Sequence, residues 1–322
     1  MKPYFLIVTM FVFFKGFTQD PIHTQFFMIP ESLSSSFTGA KQTTRAGIIH
    51  RTQWPGLNFS INTQFAFVDN WFEEVNSGIG LSVLNHKETA TRYNFTQVNL
   101  NYAYQFAISD NWNVRPSLSV GYGAKDFGFQ NVVLEDQINI FSGIINPNSI
   151  DPINLNESIR FFDFSASVLF NTENSWVGFT IKHLNNPNIS MNYEGQERLD
   201  MFMSLHGSIN LPFKPYSSDN KLFALFNAMQ QGSYNRVDLG LKYDLDRFSF
   251  ALLAATNPNK VSPNSHFLTS MNAFIGMNWE GFRFGYSYDF NMTGIGRTGG
   301  VYELSITYDF LNNSNCFGCP DY

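Results

Sequence analysis

A period of two constrains this chain more than any other feature. Along 281–290 the even positions are Phe282, Phe284, Tyr286, Tyr288 and Phe290, and the odd ones include Arg283, Gly285, Ser287 and Asp289. Along 301–310, Tyr302, Leu304, Ile306, Tyr308 and Phe310 alternate with Glu303, Ser305, Thr307 and Asp309. The stretches 95–108 and 236–245 repeat the pattern. Successive side chains of a strand point to opposite faces, so each segment reads as a strand with one apolar and one polar face. About fourteen such segments fit between Thr44 and Phe310, with 44–54 and 221–230 alternating poorly. Most exceed the roughly 5–6 residues of a soluble strand and match the ~9–11 of a tilted strand crossing a bilayer.

Composition narrows the class. Aromatic residues make up 17% of the chain and charged residues only 14%, against about 25% charged in an ordinary soluble domain. So much Phe and Tyr excludes disorder. Past Asp20 no apolar run approaches the roughly 20 residues of a membrane helix. A net charge of −6 without a basic stripe argues against a nucleic-acid partner. In hydrocarbon an unpaired backbone N–H or C=O costs several kcal/mol, so a sheet must close on itself. Several even-numbered links are tight (109–112, 171–175, Asp246, Glu280), whereas most odd-numbered links are longer (87–94, 130–158, 185–198, 257–266, 291–299). Short turns on one side and long loops on the other mark a transmembrane antiparallel up-and-down outer-membrane β-barrel, the short turns being periplasmic. A soluble all-β protein also alternates, but it explains the long strands and scarce charge less well. The polar face, rich in Asn, Gln, Ser and Thr, suits a hydrated or plugged lumen and not a dry core.

The ends read differently from the middle. Lys2, the apolar run 4–14 and the small residues around Gly16 and Thr18 form a signal peptide over 1–18. The remaining organisation is then a periplasmic segment over 19–43, the barrel over 44–310 and a periplasmic tail over 311–322, with both termini in the periplasm. No enzyme chemistry stands out. The Gly294, Gly296 and Gly299 pattern lies between two strands with no helix to bind phosphate. The six His show no metal spacing, and His183 and His206 read as hydrogen-bonded lumen or rim residues. No catalytic residue, metal or cofactor is expected. Cys316 and Cys319 form a local CxxC that an oxidising compartment closes into a disulfide, or that serves as an attachment point for a periplasmic partner.

The chain resembles the PorP/SprF family of Bacteroidetes type IX secretion and gliding-motility outer-membrane proteins. The matching stretches, in order, begin with Gln19-Asp20-Pro21-Ile22-His23-Thr24-Gln25-Phe26 and Arg51-Thr52-Gln53-Trp54. Gly78-Ile79-Gly80, Asn101-Tyr102-Ala103-Tyr104 and Phe162-Asp163-Phe164-Ser165 follow. The run 178–187 containing His183, then Gly285-Tyr286-Ser287-Tyr288-Asp289, Gly300-Val301-Tyr302-Glu303-Leu304 and Cys319-Pro320-Asp321-Tyr322, complete the series. Ile29-Pro30 and Val301-Tyr302 depart from the family pattern. The resemblance singles out Arg51, Gln53, Trp54, Asp163, His183, Tyr288, Asp289 and Glu303. It implies a non-enzymatic barrel that receives, helps secrete or anchors a large surface adhesin through the adhesin's C-terminal signal domain. Other type IX secretion components and outer-membrane lipid would be further partners. The adhesin would meet the odd-numbered loops, chiefly 130–158 and 185–198, with Trp54 or Tyr193 as anchors. Trp54, Trp112 and Trp279, at strand ends, read better as membrane-interface girdle residues than as anchors. The same fold would also serve a diffusion pore, a carrier of hydrophobic compounds, or a structural link from the type IX motor to the outer membrane.

Overall fold

The computed structural model describes residues 20–57, 60–90, 92–126, 138–139, 144–145, 158–190, 196–212, 220–258, 267–293, 298–310 and 319–322. The signal peptide, Tyr193, Cys316, Gly294 and Gly296, and nearly all of the 130–158 loop lie outside the described residues.

Fourteen antiparallel strands form the wall: β1 (Arg45–Gln53), β2 (Ile61–Phe72), β3 (Ser77–Glu88), β4 (Asn94–Tyr104), β5 (Asn113–Asp126), β6 (Ser158–Asn171) and β7 (Trp176–Lys182), then β8 (Phe202–Leu211), β9 (Lys221–Gln231), β10 (Tyr234–Leu245), β11 (Phe248–Thr256), β12 (Leu268–Trp279), β13 (Phe282–Asn291) and β14 (Val301–Asp309). Each pairs with its sequence neighbours, and β1 pairs with β14 from Arg45↔Asp309 to Gln53↔Val301, so the sheet is a closed ring. Closure leaves no sheet edge to be satisfied by lipid. Phe106 and Ala107, expected to continue β4, instead follow a break at Gln105 and pair with the start of β5.

The tight turns gather at one end. Asp246-Arg247 and Glu280-Gly281 are two-residue hairpins. Glu280 and Gly281 both have positive φ (46° and 85°), the geometry in which a two-residue loop matches strand twist and in which Gly costs least. The parity is imperfect, because Gly232-Ser233 and 89–93 are short links at the long-loop end, whereas 105–112 and 212–220 are longer links at the short-turn end.

Alternation maps directly onto the two faces. In β14, Tyr302, Leu304 and Ile306 are exposed, while Glu303, Ser305 and Thr307 are buried. In β5, Leu118, Val120 and Tyr122 face outward, and Ser117 and Ser119 face in. A continuous outer surface of this kind fits hydrocarbon and does not fit water.

The inner face departs from expectation. Phe65, Phe67, Trp176, Phe202, Phe223, Leu225 and Phe274 point inward and are buried. They pack on residues 20–44, which fill the lumen as two 3₁₀ turns (Pro30–Ser32 and Ser35–Phe37) and connecting coil. The lumen therefore contains a dry apolar core, which the polar reading of the inner face had not foreseen. The same packing explains a weak segment of the sequence. β9 sends Phe223, Leu225 and Met229 inward, so both of its faces are apolar and its alternation fades.

Candidate functional site: the plugged lumen

The segment over 19–43 is expected as a periplasmic extension, but its described residues, 20–43, thread the barrel. Asp20 meets His183 and Gln231, which stand at the long-loop ends of β7 and β9. Arg45 then opens β1 at the short-turn end, so residues 20–44 run the length of the lumen. The physical reason is burial. Phe26, Phe27, Ile29, Leu33 and Phe37 would lie bare in water as a free extension, whereas here each is buried against the wall. Full burial of a side chain such as Ile29 or Phe37 contributes roughly 1.5–3 kcal/mol.

Near the long-loop end the plug is held by charge and hydrogen bonds. The main-chain N–H groups of Thr24 and Gln25 donate to the two carboxylate oxygens of Glu303 at 2.8 and 3.0 Å. The Thr24 hydroxyl donates to Asp289 at 2.8 Å, and Gln25 donates to Ser287 and accepts from Ser305. Arg51 pairs with Glu303, lies 3.7 Å from Asp289, and donates to the Thr24 hydroxyl at 3.2 Å. Register explains the convergence, since Arg51 stands opposite Glu303 across the β1–β14 closure and Ser287 opposite Glu303 across β13–β14.

A second cluster clasps residue 20. The His183 ring bridges Asp20 (2.9 Å) and Asp163 (3.0 Å), and Gln97 donates to the other Asp163 oxygen at 3.0 Å. His183 has φ of 61°, a costly backbone for a residue with a Cβ, and it turns the chain immediately after β7. Burial works against a charged imidazole there, but Asp20 and then Asp163 outweigh it and hold the His183 pKa up at about 9. Burial likewise opposes the Asp20 carboxylate, and the adjacent His183 overcomes it, so its pKa lies well below the usual range.

At the short-turn end the fit is steric and aromatic. Gly39, with φ of 67°, lies against Gly78 of β3, and a Cβ on Gly78 would fall 2.1 Å from the Thr38 carbonyl oxygen. Asp69 accepts from the Gly39 N–H at 2.9 Å. Buried Arg115 donates to the carbonyls of Ser36 (3.0 Å) and Thr38 (2.6 Å), and Arg45 pairs with Glu31. Residues 319–322 close this end. Tyr322 is buried edge-on to Phe37, 5.2 Å between centroids, and Cys319 is disulfide-bonded.

Of the residues singled out in the sequence, Arg51, Asp289 and Glu303 converge on Thr24 and Gln25, and Asp163 and His183 converge on Asp20. Gln53 and Trp54 lie apart at the end of β1, where the Trp54 N–H donates to the Gly300 carbonyl at 3.0 Å. Tyr288 packs against Phe290 and Tyr302 beside the loop before β14, away from the plug. Trp112 and Trp279 are exposed at strand ends. His206 is buried in the lumen, its Nδ1 3.0 Å from the Ser204 hydroxyl. The sequence reading missed Glu31, Arg45, Asp69, Arg115 and Tyr322. The available signal was the density of large apolar residues in 26–37, too great for a free extension.

Between the plug and the β2–β7 wall remains a cavity of about 60 Å³, lined by groups such as His23, Gln97, Asn99, Ser119 and Lys182. That is room for water and no larger solute. Among the described residues, no group of three His, Cys, Asp or Glu is placed to hold a metal.

Residues 15–308 match the family described as "Type IX secretion system membrane protein PorP/SprF". The chain belongs to the PorP/SprF family. No curated protein matches it. Among solved structures, this PorP/SprF chain is similar to the CymD monoaromatic hydrocarbon channel (12% identity, 91% of this chain and 94% of that one, TM-score 0.48). It is also similar to Omp33 of Acinetobacter baumannii (7%, 84% and 100%, TM-score 0.45) and to CdiB of the same organism (10%, 84% and 60%, TM-score 0.47). Together the family, the closed fourteen-strand ring and its apolar exterior make this an outer-membrane barrel of the type IX secretion system.

Proposed function

We propose that this PorP/SprF barrel is a non-enzymatic docking platform that receives, helps secrete or anchors a large surface adhesin through the adhesin's C-terminal signal domain. The observation that supports this over a pore is the plug. Among the described residues, 20–44 occupy the lumen and are tied to Glu303, Asp289 and His183 at one end and to Asp69 and Arg115 at the other, an arrangement that opposes free passage of solutes. In this reading, binding falls to the loops of the long-loop end, which face the cell surface, and the short-turn end meets other type IX components in the periplasm. Deleting the gene tests the reading. Loss of one large surface protein from the cell surface, with general type IX secretion intact, is the expected result. An unchanged surface proteome would refute it, and steady conductance of the purified wild-type barrel in planar bilayers would favour a diffusion pore.

A further inference from the structure

We propose that residues 319–322 are a strap that holds the plug in place from the short-turn end, so that the lumen is firmly closed only while the strap is seated. Each of the last three residues has its own tie. The Pro320 carbonyl accepts from Lys41 at 2.8 Å. Asp321 pairs with Lys221 of β9 at 2.8 Å, and its N–H donates to the Glu173 carbonyl in the turn before β7 at 3.0 Å. The Tyr322 hydroxyl donates to Glu31 at 3.2 Å, its main-chain oxygen accepts from Arg283 of β13, and its ring meets Phe37 edge-on.

These ties bridge two bodies. Glu31, Phe37 and Lys41 belong to the plug, whereas Lys221, Glu173 and Arg283 belong to the wall on separate parts of the ring. A segment bonded to both fixes one against the other. The ring also sits among cations, with Lys41 Nζ at 4.3 Å, the Arg45 guanidinium at 4.9 Å and that of Arg283 at 5.8 Å. Burial, then the neighbouring Arg283, holds the Lys41 pKa down to about 7. Its ammonium is thus a weak clasp near neutral pH, and the buried Tyr322 ring carries most of the grip. The strap stands whether or not an adhesin is the partner, because it concerns only how the lumen is closed.

The test is hydrogen–deuterium exchange on the full-length barrel in detergent, comparing wild type with Tyr322→Ala and Tyr322→Phe. In Tyr322→Ala, amides bonded within the plug (Leu33, Ser34, Thr38 and Ala40) should exchange at least roughly tenfold faster, the strand amides staying protected. Tyr322→Phe keeps the ring and should remain near wild type. Plug exchange within twofold of wild type in Tyr322→Ala overturns the proposal. So does acceleration spread equally over the strands, which would mean a weakened barrel and not a released plug. If Tyr322→Ala fails to insert, Tyr322→Leu, which keeps apolar bulk but loses the edge-on contact with Phe37 and the bond to Glu31, is the deciding variant: faster plug exchange supports the strap and unchanged exchange overturns it.

Discussion

The two ends of the plug are held by different balances of forces. At the long-loop end, backbone N–H groups and a histidine are tied to carboxylates, and no large apolar side chain of the plug shares in those ties. At the short-turn end a glycine fits against a glycine and an aromatic ring seats on another, the charged groups being set around them. The first kind of anchor depends on protonation and on complete hydrogen bonding. The second depends on shape as well as on the charged groups around it. One chain segment therefore has an end held by charge and hydrogen bonds alone and an end where close steric and aromatic fit is added to them.

Removing a carboxylate should break the long-loop end most severely. Glu303→Ala leaves Arg51 without its closest partner and two buried N–H groups without acceptors. Removing one member of a buried pair costs about 3–5 kcal/mol, and most of that loss should fall on the plug. Chemical unfolding of the refolded barrel, with exchange at Thr24 and Gln25 as the local probe, measures it. An equal loss across the whole ring would show that Glu303 braces the β1–β14 closure more than the plug.

The His183 clasp makes the same end sensitive to alkali. Its pKa is raised, so the stability it contributes is complete below its ordinary value near 6.5 and is lost as pH rises through about 9. Asp20, with a lowered pKa, contributes above the ordinary carboxylate range, and its share is lost only in strong acid. Raising pH from 7 to 10 should weaken the clasp by about 3 kcal/mol at most. His183→Ala should abolish that dependence, and equal pH slopes in variant and wild type would contradict the assignment. The short-turn end should be broken instead by bulk. Gly78→Ala places a methyl against the Thr38 carbonyl, which backbone movement alone can relieve, at about 1–3 kcal/mol. The loss should appear in plug exchange with little change in its pH dependence.

The contrast also explains what the sequence revealed. The wall was legible because lipid on one side and a different environment on the other impose a period of two, and all fourteen segments appear as strands. Where the inside is apolar too, as at Phe223 and Leu225 of β9, the period weakens while the strand remains. The plug was not legible by that route. Coil and two short 3₁₀ turns have no period, and their partners lie far away in the chain: Thr24 bonds Glu303 across 279 residues, and Glu31 bonds Tyr322 across 291. Arg51, Asp289 and Glu303 could be named from the family resemblance, but their common target, the backbone of residues 24 and 25, could not. Gly78 stands in a stretch that matches the family, but its reason for being glycine is the plug behind it.

The smallest expected effect sharpens the comparison at the rim. Lys221 and Asp321 pair at 2.8 Å, but both side chains are 37% exposed, so solvent screens the attraction. Lys221→Ala should cost less than about 1 kcal/mol, leave barrel insertion intact, and barely change plug exchange. Tyr322, only 4% exposed, should then dominate the short-turn end through its ring. If Lys221→Ala instead loosened the plug as much as Tyr322→Ala, the tail would be gripped at its exposed edge. The short-turn end would then depend chiefly on charge as the long-loop end does, and the division between an anchor of charge alone and one with steric fit added would fail.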